Sequence, residues 1–196
     1  MSHTNKSQFS RRHILVSLGL AVVAISVVVV MRKGLNLDTT QIPSALLNRP
    51  ANDFTVDWIQ GQEYLNNTDS PTFHLHDFKG EPVILNFWAS WCFSCRQEAY
   101  DFERFWQNFK DKGVKVVGIA IQDTPEAAMK FAKSYQKSYI LGLDNDGKTA
   151  IDYGVTGVPE TFLIDENGVI IYKVAGPVNE KKLEEFAAIL MNRKSS

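Results

Sequence analysis

Val83-Ile-Leu-Asn-Phe-Trp88 is a near-continuous apolar run, and it leads directly into a cysteine pair, Cys92-Phe-Ser-Cys95. A run of this kind reads as a strand buried on both faces, which requires a covering layer on each side of a sheet. Beyond the cysteines, apolar residues recur at Cys95, Ala99, Phe102, Phe105, Trp106 and Phe109. That spacing is helical, and Gly113 is placed to stop the helix. The pair therefore stands where a buried strand ends and a helix begins.

The chain onward continues the alternation. Val114 to Ile121 is a second β-rich run. Thr124-Pro125-Glu126 opens a helix, with Thr124 as its N-cap, Pro125 at its first position, and Ala128, Phe131, Ala132 and Tyr135 inward. Ile140 to Leu143 is a short strand, followed by the turn Asp144-Asn-Asp-Gly147 and a brief helix that ends by Gly154. Thr161 to Ile164, the turn Asp165-Glu-Asn-Gly168 and Val169 to Val174 form a hairpin. Asn179 caps a last helix with Leu183, Phe186, Ala187 and Leu190 inward. These elements describe an α/β sandwich with a mixed central sheet, and residues 51–194 are enough for one substantial core.

The N-terminal third differs. Ile14 to Met31 carries no charge and no polar face, and it is just long enough to cross a bilayer as a transmembrane signal anchor. Lys6, Arg11 and Arg12 precede it while Arg32 and Lys33 follow, a mild bias that leaves residues 1–13 in the cytoplasm and the domain outside. A cleaved signal peptide would carry small residues where Val27 to Met31 are bulky. Ser10-Arg11-Arg12 also resembles a twin-arginine export signal, which would deliver the domain to the same side. Residues 32–50, with Pro43 and Pro50, read as a linker that becomes ordered as the domain begins.

Only two cysteines occur in 196 residues, too few and too close for a stapling framework or a structural zinc site. A net charge of −1 gives no sign of a nucleic-acid partner. Redox chemistry explains the pair better. The unpaired N–H groups at a helix start stabilise a Cys92 thiolate, and Cys95, one turn on, is within reach to close a disulfide.

Asn86-Phe-Trp-Ala-Ser-Trp-Cys-Phe-Ser-Cys95 resembles the active-site segment of thioredoxin-like proteins of the TlpA/ResA group. Gly154-Val-Thr-Gly-Val-Pro-Glu-Thr-Phe-Leu-Ile-Asp165, Ile42-Pro-Ser-Ala-Leu and Asp77-Phe-Lys-Gly-Glu-Pro82 narrow the resemblance to the CcmG/DsbE branch, the reductases of cytochrome c maturation. The resemblance runs from about Ile42 to the C-terminus. It implies a thioredoxin-like three-layer sandwich behind one membrane helix, anchored in the bacterial inner membrane with its domain in the periplasm. It also implies a redox-active disulfide with Cys92 as nucleophile and Cys95 as resolving thiol. Pro159 would be a cis-proline facing the pair, with Val158 offering its backbone to an extended substrate. The implied client is apocytochrome c, the implied electron donor a membrane protein of the DsbD/CcdA type, and no cofactor or metal is implied. Phe93-Ser94 departs from the branch, where proline commonly comes first.

Glu98 and Glu160 match the two acidic positions that flank the site in this branch. A carboxylate near a thiol disfavours the thiolate and so lowers the reduction potential. The pair would keep the protein a reductant, or serve as a proton shuttle for Cys95. By position alone, Glu98 could equally be a solvated helix residue. Typical thioredoxins have an Asp where this chain has Asn86, so one of the glutamates is a candidate substitute. Trp91 and Phe93 would border the substrate surface, whereas Trp58, Trp88 and Trp106 read as core. His74 and His76 read as surface histidines, since a copper site of the Sco type would pair such a His with C-x-x-x-C. The Thr-x-x-Cys of thioredoxin-like peroxidases is absent. Two rivals stay open: a general extracytoplasmic reductase or oxidase with other clients, and a membrane-tethered binding module without turnover.

Overall fold

The computed structural model describes residues 11–35, 45–65 and 70–194, and it divides into two units, residues 1–39 and 40–196. In the first unit, helix α1 (Arg11–Leu35) contains Ile14–Arg32, 19 residues of mean hydropathy 3.0. At 1.5 Å per residue this stretch spans roughly 28 Å, close to the thickness of a bilayer's hydrocarbon core. Its apolar side chains are exposed all round, as a helix that meets lipid requires.

The second unit is built on a seven-stranded sheet. Its elements run β1 (Thr55–Gln60), β2 (Thr72–His74), β3 (Val83–Trp88), α2 (Phe93–Phe109), β4 (Lys115–Ile121), α3 (Pro125–Ser134), β5 (Ile140–Asp144), α4 (Lys148–Asp152), β6 (Glu160–Ile164), β7 (Ile170–Ala175) and α5 (Glu180–Lys194). The strand order is β2-β1-β5-β4-β3-β6-β7. Strands β3, β4 and β5 are parallel, while β6 and β7 on one side and β1 and β2 on the other pair antiparallel. The chain has the expected thioredoxin-like architecture with a mixed sheet.

All six residues of β3 are buried, and their alternation feeds two cores. Ile84 and Trp88 pack with Phe102, Phe105 and Trp106 of α2, Phe131 of α3 and Phe186 of α5. Leu85 and Phe87 pack on the other face with Val117, Ile119, Tyr153 and Phe162. By the same alternation Asn86 lies on the α2 side, between Ile84 and Trp88.

Two features refine the sequence reading. Within the segment 32–50, read as a linker that becomes ordered as the domain begins, α1 continues to Leu35, and Leu46 and Leu47 pack against the domain core. Asn48 N–H donates to the Ile170 carbonyl (2.7 Å), Ile170 N–H to Arg49 (3.0 Å), and Ala51 N–H to Gly168 (2.8 Å), so this lead-in is stitched to the β6–β7 hairpin. Pro43 and residues 36–44 lie outside the described residues. The β1–β2 pair was not anticipated, because Asp57 and Gln60 break the apolar pattern of a strand that is exposed at alternate residues. Such a strand is specified by its neighbours more than by its own sequence.

Gly142 of β5 shows how tightly that neighbour seats. A Cβ there would lie 2.6 Å from Val56 Cγ2 and 2.7 Å from Phe73 Cε1. Both side chains belong to the buried core, so neither can withdraw into solvent. Gly142→Ala is expected to lower the unfolding free energy by about 1–3 kcal/mol, read from urea denaturation at constant m-value. An unchanged midpoint would show that β1 and β2 can shift away from β5.

Candidate functional site

Cys92 is the N-cap of α2, with extended backbone angles (φ −75°, ψ 120°), and its Sγ accepts a hydrogen bond from the Cys95 N–H at 3.1 Å. Sulfur here occupies the place that a serine or aspartate oxygen holds at most helix starts. A thiolate at that atom would receive the same N–H and the positive end of the helix dipole. Cys92 and Cys95 are joined as a disulfide, and Cys92 is the more accessible of two nearly buried residues. The turn before them is fixed from the β4–α3 loop. Ser90 donates its N–H (2.6 Å) and its hydroxyl (2.8 Å) to Asp123, and Trp91 Nε1 donates to the Gln122 carbonyl at 2.9 Å.

The loop before β6 faces this pair. The Val158–Pro159 peptide bond is cis, and the Val158 carbonyl oxygen lies 3.4 Å from Cys92 Sγ. Trp91 and Phe93 flank the cysteine with exposures of 55% and 72%, large apolar surfaces left open to solvent. Cys92, Val158, Pro159, Trp91 and Phe93 are thus brought together around one sulfur, although they come from two stretches of chain far apart in sequence.

The two glutamates are both buried, so Glu98 is not a solvated helix residue. Their surroundings differ. Glu98, one turn beyond Cys95, accepts from Asn86 Nδ2 (3.0 Å) and from the Val178 N–H (3.0 Å). Burial pushes its carboxyl up to about 7; the bonds from Val178 and Asn86 and the Lys137 ammonium pull the other way, while Asp101 adds to the rise. Glu160 instead accepts from the Thr156 N–H (3.0 Å) and hydroxyl (2.9 Å) and pairs with Lys173 Nζ at 2.7 Å. Lys173 is itself buried and also donates to the Gly154 carbonyl at 3.1 Å. Glu160 is therefore a neutralised anchor for the loop that carries Val158 and Pro159, whereas Glu98 is a carboxyl held near its titration point.

Residues 47–173 match the AhpC/TSA family. The chain is 35% identical to the thiol:disulfide interchange protein DsbE of Pseudomonas aeruginosa over 92% of its own length and 93% of that protein. It is 31% identical to the thiol-disulfide oxidoreductase ResA of Bacillus thuringiensis, covering 71% of this chain and 76% of that one. The chain belongs to the DsbE/ResA family of thioredoxin-like thiol–disulfide oxidoreductases. The crystal structure of StoA from Bacillus subtilis superposes with a TM-score of 0.58 at 26% identity, covering 71% of this chain and 98% of that one. The family name does not bring peroxidase chemistry with it, because Ala89 stands where Thr-x-x-Cys would need its threonine. The DsbE/ResA family places the activity at the Cys92–Cys95 pair.

Several residues that shape the site were not singled out from sequence. Asp123 and Gln122 hold the turn before Cys92, and nothing in their local sequence signals that contact. Lys173 reads as an ordinary strand lysine until its pairing with Glu160 is seen. Lys137, between α3 and β5, is buried, and burial lowers its ammonium to about 7 against the pull of Glu98 and Glu103. His74 and His76 stack at 4.6 Å, and with Asp53 they bring ligand-type atoms within 4.8 Å of one another. That group sits at the β2 edge, with β1, β5 and β4 between β2 and β3, so it is no part of the cysteine site.

The raised carboxyl of Glu98 has a consequence for stability. Unfolded, Glu98 titrates near 4.5; folded, it titrates near 7. Between those values the folded state binds more protons, so the Glu98 contribution is fully present below pH 4.5 and is lost as pH rises through 7. In urea titrations between pH 5 and 7.5, wild type is expected to lose about 1–3 kcal/mol more than Glu98→Gln. Parallel pH curves for the two proteins would show that Glu98 is ionised throughout.

Proposed function

We propose that this oxidoreductase works as a reductant of protein disulfides outside the cytoplasm, held at the bacterial inner membrane by α1. Apocytochrome c is the proposed client, since its C-x-x-C-H thiols must be free before haem attaches. A membrane donor of the DsbD/CcdA type would restore the dithiol. The observation that carries this reading is the placement of Cys92 Sγ, which takes the Cys95 N–H at 3.1 Å and lies 3.4 Å from the Val158 carbonyl oxygen, flanked by the exposed Trp91 and Phe93. The resemblance to the CcmG/DsbE branch supplies the direction of the reaction and the client.

In this reading the Cys92 thiolate attacks a substrate disulfide and forms a mixed disulfide. The extended substrate runs along the Val158 backbone beside Pro159, with Trp91 and Phe93 covering its apolar residues. Glu98 takes the Cys95 proton, the Cys95 thiolate attacks Cys92 Sγ, and the substrate sulfur leaves as a thiolate that is protonated from solvent. A disulfide remains on Cys92–Cys95, and two electrons have passed to the substrate. Glu98 lies in the same buried layer as Asn86, so it fills the acid–base place for which Asn86 itself lacks the chemistry. Glu160 acts by holding the Val158–Pro159 loop.

Two tests follow. Cys95→Ala removes the resolving thiol, so Cys92 adducts should accumulate in cells and release C-x-x-C-H polypeptides on reduction. Adducts only with other periplasmic thiol proteins would overturn the client assignment. The glutamates should separate in redox titrations: Glu98→Gln raises the reduction potential by roughly 30 mV or more. Glu160→Gln should leave the potential nearly unchanged but destabilise the fold by about 3 kcal/mol, because Lys173 is left buried and unpaired. Equal shifts of potential for both variants would contradict these separate roles.

A further inference from the structure

The β1–β2 pairing sets a group of polar side chains on one edge of the sheet. Phe54, Phe73 and Phe78 are buried, and Phe73 meets the other two rings edge-on at 5.9 and 6.2 Å. With Phe54 and Phe73 turned inward, the alternation of extended chain turns their neighbours Asp53, Thr55 and His74 outward. The strand register places Thr55 opposite His74. His76 follows two residues on, in the 3₁₀ turn Leu75–Phe78. One carboxylate and two imidazoles thus meet from two separate segments of chain.

Each of the three is held by a partner. Asp53 takes the His76 N–H on Oδ1 (3.2 Å) and His76 Nδ1 on Oδ2 (2.7 Å). His74 Nδ1 lies 2.9 Å from Thr55 Oγ1, and the His74 N–H donates to Asp77 Oδ2 at 2.8 Å. The two imidazoles are nearly parallel, 14° apart, with their centres separated by 4.6 Å. One ligand-type atom from each of Asp53, His74 and His76 lies within 4.8 Å of the other two. Donors that share a zinc ion at roughly 2.0–2.2 Å stand about 3–4 Å apart, so small side-chain rotations close the set. Asp53 Oδ2 and His76 Nδ1 are already as close as such a pair requires. Both side chains are more than half exposed and border a cavity of about 500 Å³, which gives an ion its way in.

A surface ion pair would account for Asp53 and His76. It leaves His74 unexplained, because the second ring is stacked on His76 and tethered by Thr55, and neither contact serves that pair. Fixing one ring nitrogen by an oxygen partner is how proteins orient metal-binding histidines. Two imidazoles with one carboxylate suit a borderline ion such as Zn2+, whereas Ca2+ and Mg2+ call for oxygen donors. We propose that Asp53, His74 and His76 form a binding site for a divalent transition ion of the zinc class, which clips strand β2 to the residues that lead into β1. The ion takes the place of the hydrogen between Asp53 Oδ2 and His76 Nδ1, and the ring proton moves to His76 Nε2. His74 supplies the third donor, and water fills the fourth position. β2 has three residues and pairs with β1 alone at the end of the sheet, so few ladder bonds hold it without the clip. The site is remote from Cys92 and Cys95 and takes no part in disulfide exchange.

The test is calorimetric titration of Zn2+ into the full-length chain in detergent, with the Cys92–Cys95 disulfide closed so that no thiolate competes for the ion. A saturable event at one ion per chain is expected, and the thermal midpoint should rise as the site fills. Asp53→Asn, His74→Ala and His76→Ala should each weaken the affinity by at least about tenfold and lose the midpoint rise. Thr55→Val keeps all three donors but frees the His74 ring, and it should weaken binding by less than any of these. His74→Gln, which can still bond to Thr55, is the second variant should Ala perturb β2. No saturable event at millimolar Zn2+ would overturn the proposal. Zn2+ bound equally well by wild type and by all three donor variants would also overturn it, since the ion would sit elsewhere. Loss confined to Asp53→Asn and His76→Ala, with both His74 variants binding as wild type does, would reduce the site to an exposed ion pair and overturn the three-donor assignment.

Discussion

The site depends on the hydrogen bond between the Cys95 N–H and Cys92 Sγ, and on the buried strand that delivers Cys92 to that position. Strand β3 is covered on both faces, so its end point is fixed by two cores at once. α2 starts five residues later, at Phe93, and its first free N–H groups have no backbone partner. A sulfur placed there takes up the orphan donor and feels the helix dipole, which favours negative charge on Cys92 rather than on Cys95. The asymmetry of the two thiols thus follows from where one strand stops.

Two buried carboxyls near this junction show how surroundings divide similar groups into different roles. Glu160 meets Lys173 and the Thr156 N–H and hydroxyl, a set of partners that ties down the loop of the cis-proline. Glu98 receives two hydrogen bonds and, among the described residues, forms no ion pair, and burial brings it close to its titration point at neutral pH. A carboxyl in the second condition can exchange a proton during turnover, whereas one in the first mainly holds structure.

Much of the domain is legible in the sequence because its elements are strongly patterned. The β3 run, the helical spacing from Cys95 to Phe109 and the Thr124-Pro125 helix start each have a local signature, and all three elements form where the pattern puts them. The cysteine pair is legible for the same reason, being marked by the strand-to-helix switch around it. What the sequence does not display is pairing across distance. Asp57 and Gln60 obscure β1, whose partners β2 and β5 supply its order. Glu98 and Glu160 look alike as letters, and only the positions of Asn86, Val178 and Lys173 separate them. Lys137 carries no local sign of burial, since the left-handed turn at Gln136 and the bonds from Gln60 to the Lys137 carbonyl and from Ser138 to Glu103 decide where it points.

Membership of the DsbE/ResA family establishes thiol–disulfide exchange, and the direction of electron flow is the central claim built upon it. The measurement that bears on it most directly is the equilibrium reduction potential of the Cys92–Cys95 couple, taken on the full-length chain in detergent against a dithiothreitol or glutathione series. A value near or below roughly −200 mV, the range of the glutaredoxins, is the predicted result. A value near roughly −120 mV, that of DsbA, would make the protein an oxidant and contradict the account of Glu98.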